Sequence, residues 1–165
     1  MLRWCSPCSL DPSGRGNHLW SARFGDTGFQ DALLVTVDAA ENVIVAGTME
    51  GTTDLGGGPL GPGVSNIFVA KFDSQGAHLS SKRFGNPSWG QYVPTGLTTV
   101  PTGEIVLSGF FSNSIDFGGG LLTCAPAGFD GFIVELDGDL EQVWVTQVGA
   151  SGAHYVNGVS ADPFG

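Results

Sequence analysis

Short runs of β-branched and aromatic residues alternate along the chain with clusters of Gly, Pro, Asp, Asn and Ser. The runs at 18–25, 32–38, 42–49 and 66–73 have strand length and are rich in Val, Ile, Phe and Thr, whose branched or flat side chains suit a pleated surface. Val35, Val37, Val43 and Val45 fall at alternating spacing and the pattern stops at Gly47, with almost no charged face, which predicts strands rather than a helix over 31–47. Asp38-Ala-Ala-Glu-Asn42 and Asp73-Ser-Gln-Gly-Ala77 read as hairpin loops: the Asp can accept from nearby backbone N–H groups, and the Gly76 position tolerates positive φ.

The pattern then returns. His18-Leu-Trp-Ser-Ala-Arg-Phe-Gly25 recurs as His78-Leu-Ser-Ser-Lys-Arg-Phe-Gly85, and in weakened form as Gln142-Val-Trp-Val-Thr-Gln-Val-Gly149. Asn42-Val-Ile-Val-Ala-Gly47 recurs as Glu104-Ile-Val-Leu-Ser-Gly109, and Asp54-Leu-Gly-Gly-Gly58 as Asp116-Phe-Gly-Gly-Gly120. Asn66-Ile-Phe-Val-Ala-Lys-Phe-Asp73 recurs as Asp130-Gly-Phe-Ile-Val-Glu-Leu-Asp137. Four blocks in one order, spaced by roughly 60 residues, are an internal repeat. Four short strands in each unit predict an all-β fold, a β-propeller-like array of four-stranded antiparallel blades. The units are expected at 18–77 and 78–141, with a divergent segment at 1–17 and a shortened third unit at 142–165. Leu10-Asp11 aligns with Phe72-Asp73, so the residues before 12 read as a strand of a preceding unit, interrupted by Pro7.

Together these blocks resemble the bacterial β-propeller repeat called SBBP, found in large secreted or cell-surface proteins. Kelch-type and "delta-60" repeats share a strand like Val-Ile-Val-Ala-Gly but have shorter periods. The resemblance covers about residues 10–165 and implies a non-catalytic binding or scaffold module, extracellular or in the cell envelope. The alternative is part of a propeller enzyme acting on carbohydrate. Closed propellers take about 4–8 blades, so two full units lead to the expectation of an open array belonging to a longer protein. An open array is expected to self-associate through its uncovered faces, with Trp144, Val145, Val148, Val156 and Val159 at one end.

Composition narrows the function classes. The 165 residues include 27 Gly, while charged residues are only 13%, which excludes a coiled coil or charged helical bundle. A hydrophobic share of 41% is enough apolar surface to oppose disorder. The 6 Lys and Arg against 16 Asp and Glu leave a net charge of −10, which opposes binding to nucleic acid or to anionic membrane surfaces. No run is long enough for a membrane span or for the apolar core of a signal peptide.

Candidate chemistry is sparse. Cys5-Ser-Pro-Cys8 is half of a zinc site or a redox pair by spacing, but it has no second ligand pair and runs into a turn; Cys124 stands alone. His18 and His78 recur and read as strand-start residues, whereas His154 has no counterpart; no motif of a nucleophilic enzyme is present, so no residue is singled out as catalytic. Asp54 and Asp116 are candidate calcium ligands, with capping of their own turns as the simpler reading. The Gly triplets match no phosphate loop and no cofactor motif occurs. Trp20, Trp144, Phe68 and Phe132 recur and read as core. Trp89 and Tyr92 lie in a loop two residues longer than its counterpart, where exposed aromatics would suit a glycan or protein ligand; covering the rim of a neighbouring blade is the competing reading.

Overall fold

The computed structural model describes residues 2–4, 18–86, 90–126 and 128–162. Within them the chain is all-β, and no helix is long and apolar enough to cross a membrane. A short pair, β1 (Leu2–Trp4) and β2 (Trp20–Ala22), precedes the larger sheets. The first four-stranded sheet is built from β3 (Gln30–Val37), β4 (Val43–Met49), β7 (Asn66–Phe72) and β8 (His78–Phe84), antiparallel and in chain order. Between β4 and β7 the chain leaves the sheet for a small hairpin, β5 (Thr53–Asp54) and β6 (Pro59–Leu60), folded around the first Gly triplet. The second sheet repeats this plan with β9 (Tyr92–Thr99), β10 (Ile105–Phe111), β13 (Asp130–Leu136) and β14 (Gln142–Val148), and with the hairpin β11 (Ser114–Asp116) and β12 (Leu121–Thr123).

The strands form where the apolar runs predict them, but the sheets begin one strand later than the expected units. Residues 78–84 close the first sheet rather than opening the second. The turn at 73–77 dictates this. Asp73 accepts from the N–H groups of Gln75 and Ala77, both at 2.8 Å, and Gly76 takes φ 85°. A loop this tight can only join neighbouring antiparallel strands. The turn at 38–42 has the same construction, with Asp38 accepting from Ala40 and Asn42, and so does the turn at 137–141, with Asp137 accepting from Asp139 and Glu141. The turn at 100–104 keeps the backbone bonds without the Asp, and Gly103 supplies its positive φ.

Both first strands carry a bulge at the same place. Leu33 is the extra residue of β3 and Thr95 that of β9, opposite Gly47 and Gly109 respectively. The bulge drives a carbonyl against the neighbouring strand. A Cβ at Gly47 would lie 2.0 Å from the Asp31 oxygen, and one at Gly109 would lie 2.3 Å from the Val93 oxygen. The recurring glycine that ends each Val-Ile-Val-Ala or Ile-Val-Leu-Ser run is therefore a requirement of close backbone approach.

One apolar core joins the two sheets. Ile44, Ala46, Ile67, Val69 and Phe84 from the first meet Tyr92, Ile105, Leu107, Phe132 and Val134 from the second, each buried to 2% exposure or less. Phe117, in the β11–β12 turn, bridges Phe84 and Phe132 at 5.4 and 4.9 Å between ring centroids. β9 also packs beside β3. The opposite face of the first sheet, with Val45, Met49, Phe68 and Phe72, forms a second core against Trp20. Trp144 departs from the expectation of a core residue. It is 41% exposed, because its place opposite Glu135 puts it on the face of the second sheet turned away from the first.

Replacing Gly109 by Ala should destabilise the protein by about 2–3 kcal/mol through overpacking. Gly138→Ala, where a Cβ meets nothing within 4 Å, should be neutral or slightly stabilising. Urea unfolding of the two variants checks the difference.

Candidate functional site

The recurring acids serve the turns that contain them. Asp54 Oδ1 accepts from the N–H groups of Gly56 and Gly58 at 2.7 and 3.0 Å, and Asp116 Oδ1 accepts from Gly118 and Gly120 at 2.7 and 3.2 Å. The middle glycine of each triplet has its own cause. The His78 ring lies over Gly57 and the Gln142 side chain over Gly119, so a Cβ at either would come within 2.2 Å of the covering side chain. Among the described residues no three His, Cys, Asp or Glu side chains gather as metal binding would require, and Asp54 and Asp116 stand in separate turns.

Tyr92 requires a correction. It is the first residue of β9, 1% exposed and part of the shared core, so it is not an exposed loop aromatic open to a ligand. Its hydroxyl donates to the Ser114 carbonyl at 2.8 Å, and burial pushes the phenol up from its ordinary value. Gly90 makes room for it: a Cβ there would sit 2.4 Å from that hydroxyl oxygen. Trp89 and the Cys5–Cys8 pair lie outside the described residues. Cys124 is a buried free thiol, and burial together with the nearby Asp130 charge pushes its pKa up, away from the reactive thiolate.

At matched places in the two sheets, one geometry carries different chemistry. In the first sheet the buried Asn66 accepts from Arg83 Nη1 at 3.0 Å, and Arg83 also donates to the Pro62 carbonyl at 3.1 Å. In the second sheet Asp130 replaces Asn66 and Gln147 replaces Arg83. Gln147 Nε2 donates to Asp130 Oδ2 at 2.5 Å and to the Thr123 carbonyl at 3.1 Å. Asp130 Oδ1 is left without a hydrogen bond, 3.8 Å from His154 Nδ1, and His154 is held by its own N–H on the Phe129 carbonyl at 2.7 Å. His154, unmatched in the repeat, thus meets a buried acid that also breaks it. Beside them, Phe110, Phe129 and Tyr155 form an aromatic cluster with centroids 4.8–5.8 Å apart.

Two concavities stand out among the described residues. A groove of about 310 Å³ lies among the turns at 38–42, 101–104 and 138. It is polar: Lys71 Nζ pairs with Asp38 Oδ2 at 3.0 Å, and Thr102 donates to Glu104. Burial alone would raise the Asp38 pKa, but the bonds from Asn42 and the Lys71 ammonium hold it below the usual carboxylate value.

The other is a cleft of about 270 Å³ between β2 with the residues that follow it and the first sheet. Trp20, Phe24, Phe68 and Phe72 wall it, Leu55 lies against it, and Arg23, Gln30 and Asp31 also line it. It exists because two side chains differ from their counterparts at the junction of the two sheets. Leu55 stands where Phe117 fills the second junction. Phe24, the counterpart of Phe84, is 37% exposed and stacks on Phe72 at 5.3 Å instead of inserting. Trp20 Nε1 and Thr53 Oγ1, on two of the lining residues, are buried without hydrogen-bond partners. Repeat periodicity concealed this place; the Leu55/Phe117 difference in otherwise matched Asp-x-Gly-Gly-Gly turns was its one signal in the sequence.

Because the folded Asp38 pKa lies below its unfolded value of about 3.9, the stability it contributes is present at neutral pH and is lost as pH falls through the folded value. Asp38→Asn should cost about 2 kcal/mol at pH 7. The gap in Tm between wild type and variant should close towards pH 3, as measured by thermal melts across that range.

Compared with known proteins, the chain matches no family model, and no curated protein matches it in sequence.

Proposed function

We propose that the chain is a non-catalytic binding or scaffold module of SBBP-like β-propeller repeats, belonging to a secreted or cell-surface protein, with a protein or glycan as its partner. The observation that carries this is the use made of the carboxylates. Asp38, Asp54, Asp73, Asp116 and Asp137 each bind N–H groups of their own turns rather than converging on a common point. Matching strand orders in two sheets, with β3 beside β9, support a side-by-side arrangement of blades. The aromatic-walled cleft offers the shape and stacking surfaces of recognition, and among the described residues no His or Cys lines it.

The Asp130–His154 pair is the observation that favours the second reading, a carbohydrate-acting enzyme. Against it, neither Asp130 nor His154 lines the groove or the cleft described above, and a general acid or base must come within hydrogen-bond reach of the substrate. The expected outcome with a panel of nitrophenyl glycosides is no nitrophenol release above the buffer blank. Turnover that disappears in Asp130→Asn would establish the enzyme instead.

Self-association belongs to the same proposal. β14 is an edge strand bearing Val143, Trp144 and Val148 at 40–52% exposure, with Tyr155 nearby at 49%. Unpaired edges flanked by apolar side chains invite pairing. Light scattering at roughly tens of micromolar should show masses above the monomer, and Trp144→Lys should reduce them. A monodisperse wild-type monomer would overturn this part.

A further inference from the structure

We infer that the cleft between β2 and the first sheet is a binding site for one six-membered-ring sugar, a pyranoside. This rests on the binding-module reading above and gives it a ligand class. A pyranose ring has apolar C–H faces and a girdle of hydroxyls, so it needs flat aromatic walls together with planar polar side chains at the edge. The cleft supplies both kinds of surface. Phe24, 37% exposed, and the partly exposed Trp20 offer stacking faces, with Phe72 packed behind them at 5.3 and 6.3 Å between centroids. The Trp20 ring is held in place over Gly76, where a Cβ would come within 2.6 Å of it.

Polar groups are present and uncommitted. Thr53 is 2% exposed, and its hydroxyl has no hydrogen-bond partner. The Trp20 indole N–H is in the same condition. Leaving such groups unpaired is unfavourable, and a ligand hydroxyl that reaches them removes that cost. Arg23 and Asp31 also line the cleft, opposite charges that suit a neutral polyol better than an ion. The counterpart of Arg23, Arg83, is occupied by Asn66 and Pro62. A volume of about 270 Å³ has room for one ring and falls just below the range of drug-sized pockets, roughly 300–1,000 Å³. The second junction shows what a closed version looks like, with Phe117 inserted between Phe84 and Phe132.

The test uses the full chain and the methyl α- and β-pyranosides of glucose, galactose and mannose, each followed by amide chemical-shift perturbation up to about 10 mM, ten times a millimolar Kd. At least one should shift the amides of Thr53, Leu55 and Ala70 saturably. Leu55→Phe, which copies Phe117, should weaken that binding at least tenfold while the protein stays folded by far-UV circular dichroism. Thr53→Val, which removes the hydroxyl at nearly constant volume, should weaken it several-fold and serves if the Phe variant does not fold. No saturable shift with any of the six glycosides overturns the inference, and so does binding that persists unchanged in both variants. Either failure leaves the binding-module reading standing, because that reading falls to turnover and not to the emptiness of one cleft.

Discussion

Ile44, Ile67, Val69 and Phe84 on one sheet and Ile105, Leu107, Phe132 and Val134 on the other are removed from water by each other. Each large side chain in that layer contributes about 1.5–3 kcal/mol by burial, and the Phe84–Phe117–Phe132 contacts add aromatic pairing. The exposed Lys82–Glu141 ion pair across the same junction, at 2.6 Å, contributes at most about 1 kcal/mol. Apolar burial between successive sheets therefore holds the molecule together. It also sets the chemistry available elsewhere, since a face turned towards a neighbouring sheet cannot carry charge.

That constraint pushes polar residues to the turns, where they have structural work already. An Asp at the head of a five-residue loop satisfies two N–H groups that would otherwise face water or nothing, and it does so in three of the four turns that join neighbouring strands of the two large sheets. Asp54 and Asp116 do the same in the Gly-triplet turns, so five of the 16 acidic residues are of this kind. Departures from the repeat are then the informative positions. Asp130 and Gln147 in place of Asn66 and Arg83 leave a buried carboxylate facing His154, and Leu55 in place of Phe117 leaves a cleft. The second lines a cleft, whereas the carboxylate of the first is buried and lines neither concavity, and the proposed binding role rests on that difference.

Much of this was legible in the residues. Alternation of Val35, Val37, Val43 and Val45, the Asp-led turns and the recurring glycines all correspond to observed strands, hairpins and close approaches. Grouping was not. A repeat can be cut at any point of its period, and the match of residues 18–25 to 78–85 placed the cut before residue 78, although the turn at 73–77 joins strands of one sheet. Tyr92 read as a loop residue because the glycines and Pro around it resemble a loop; its burial depends on the Ser114 carbonyl and on the space above Gly90. Trp144 shares a repeat position with Trp20 but lies on the outward face of its sheet.

What the sequence by itself determined is local: strand positions, turn chemistry, the glycines of the bulges, and the order in which they recur. These depend on backbone sterics and on hydrogen bonds spanning a few residues. What only the tertiary structure decided is which strands share a sheet, which faces meet, and where a neighbour fails to fill the space. Those outcomes depend on volumes brought together from residues far apart in the chain. A Leu where the matched turn has Phe is a mild difference in the sequence, yet in the fold that Leu, with the outward Phe24, lines an open cleft.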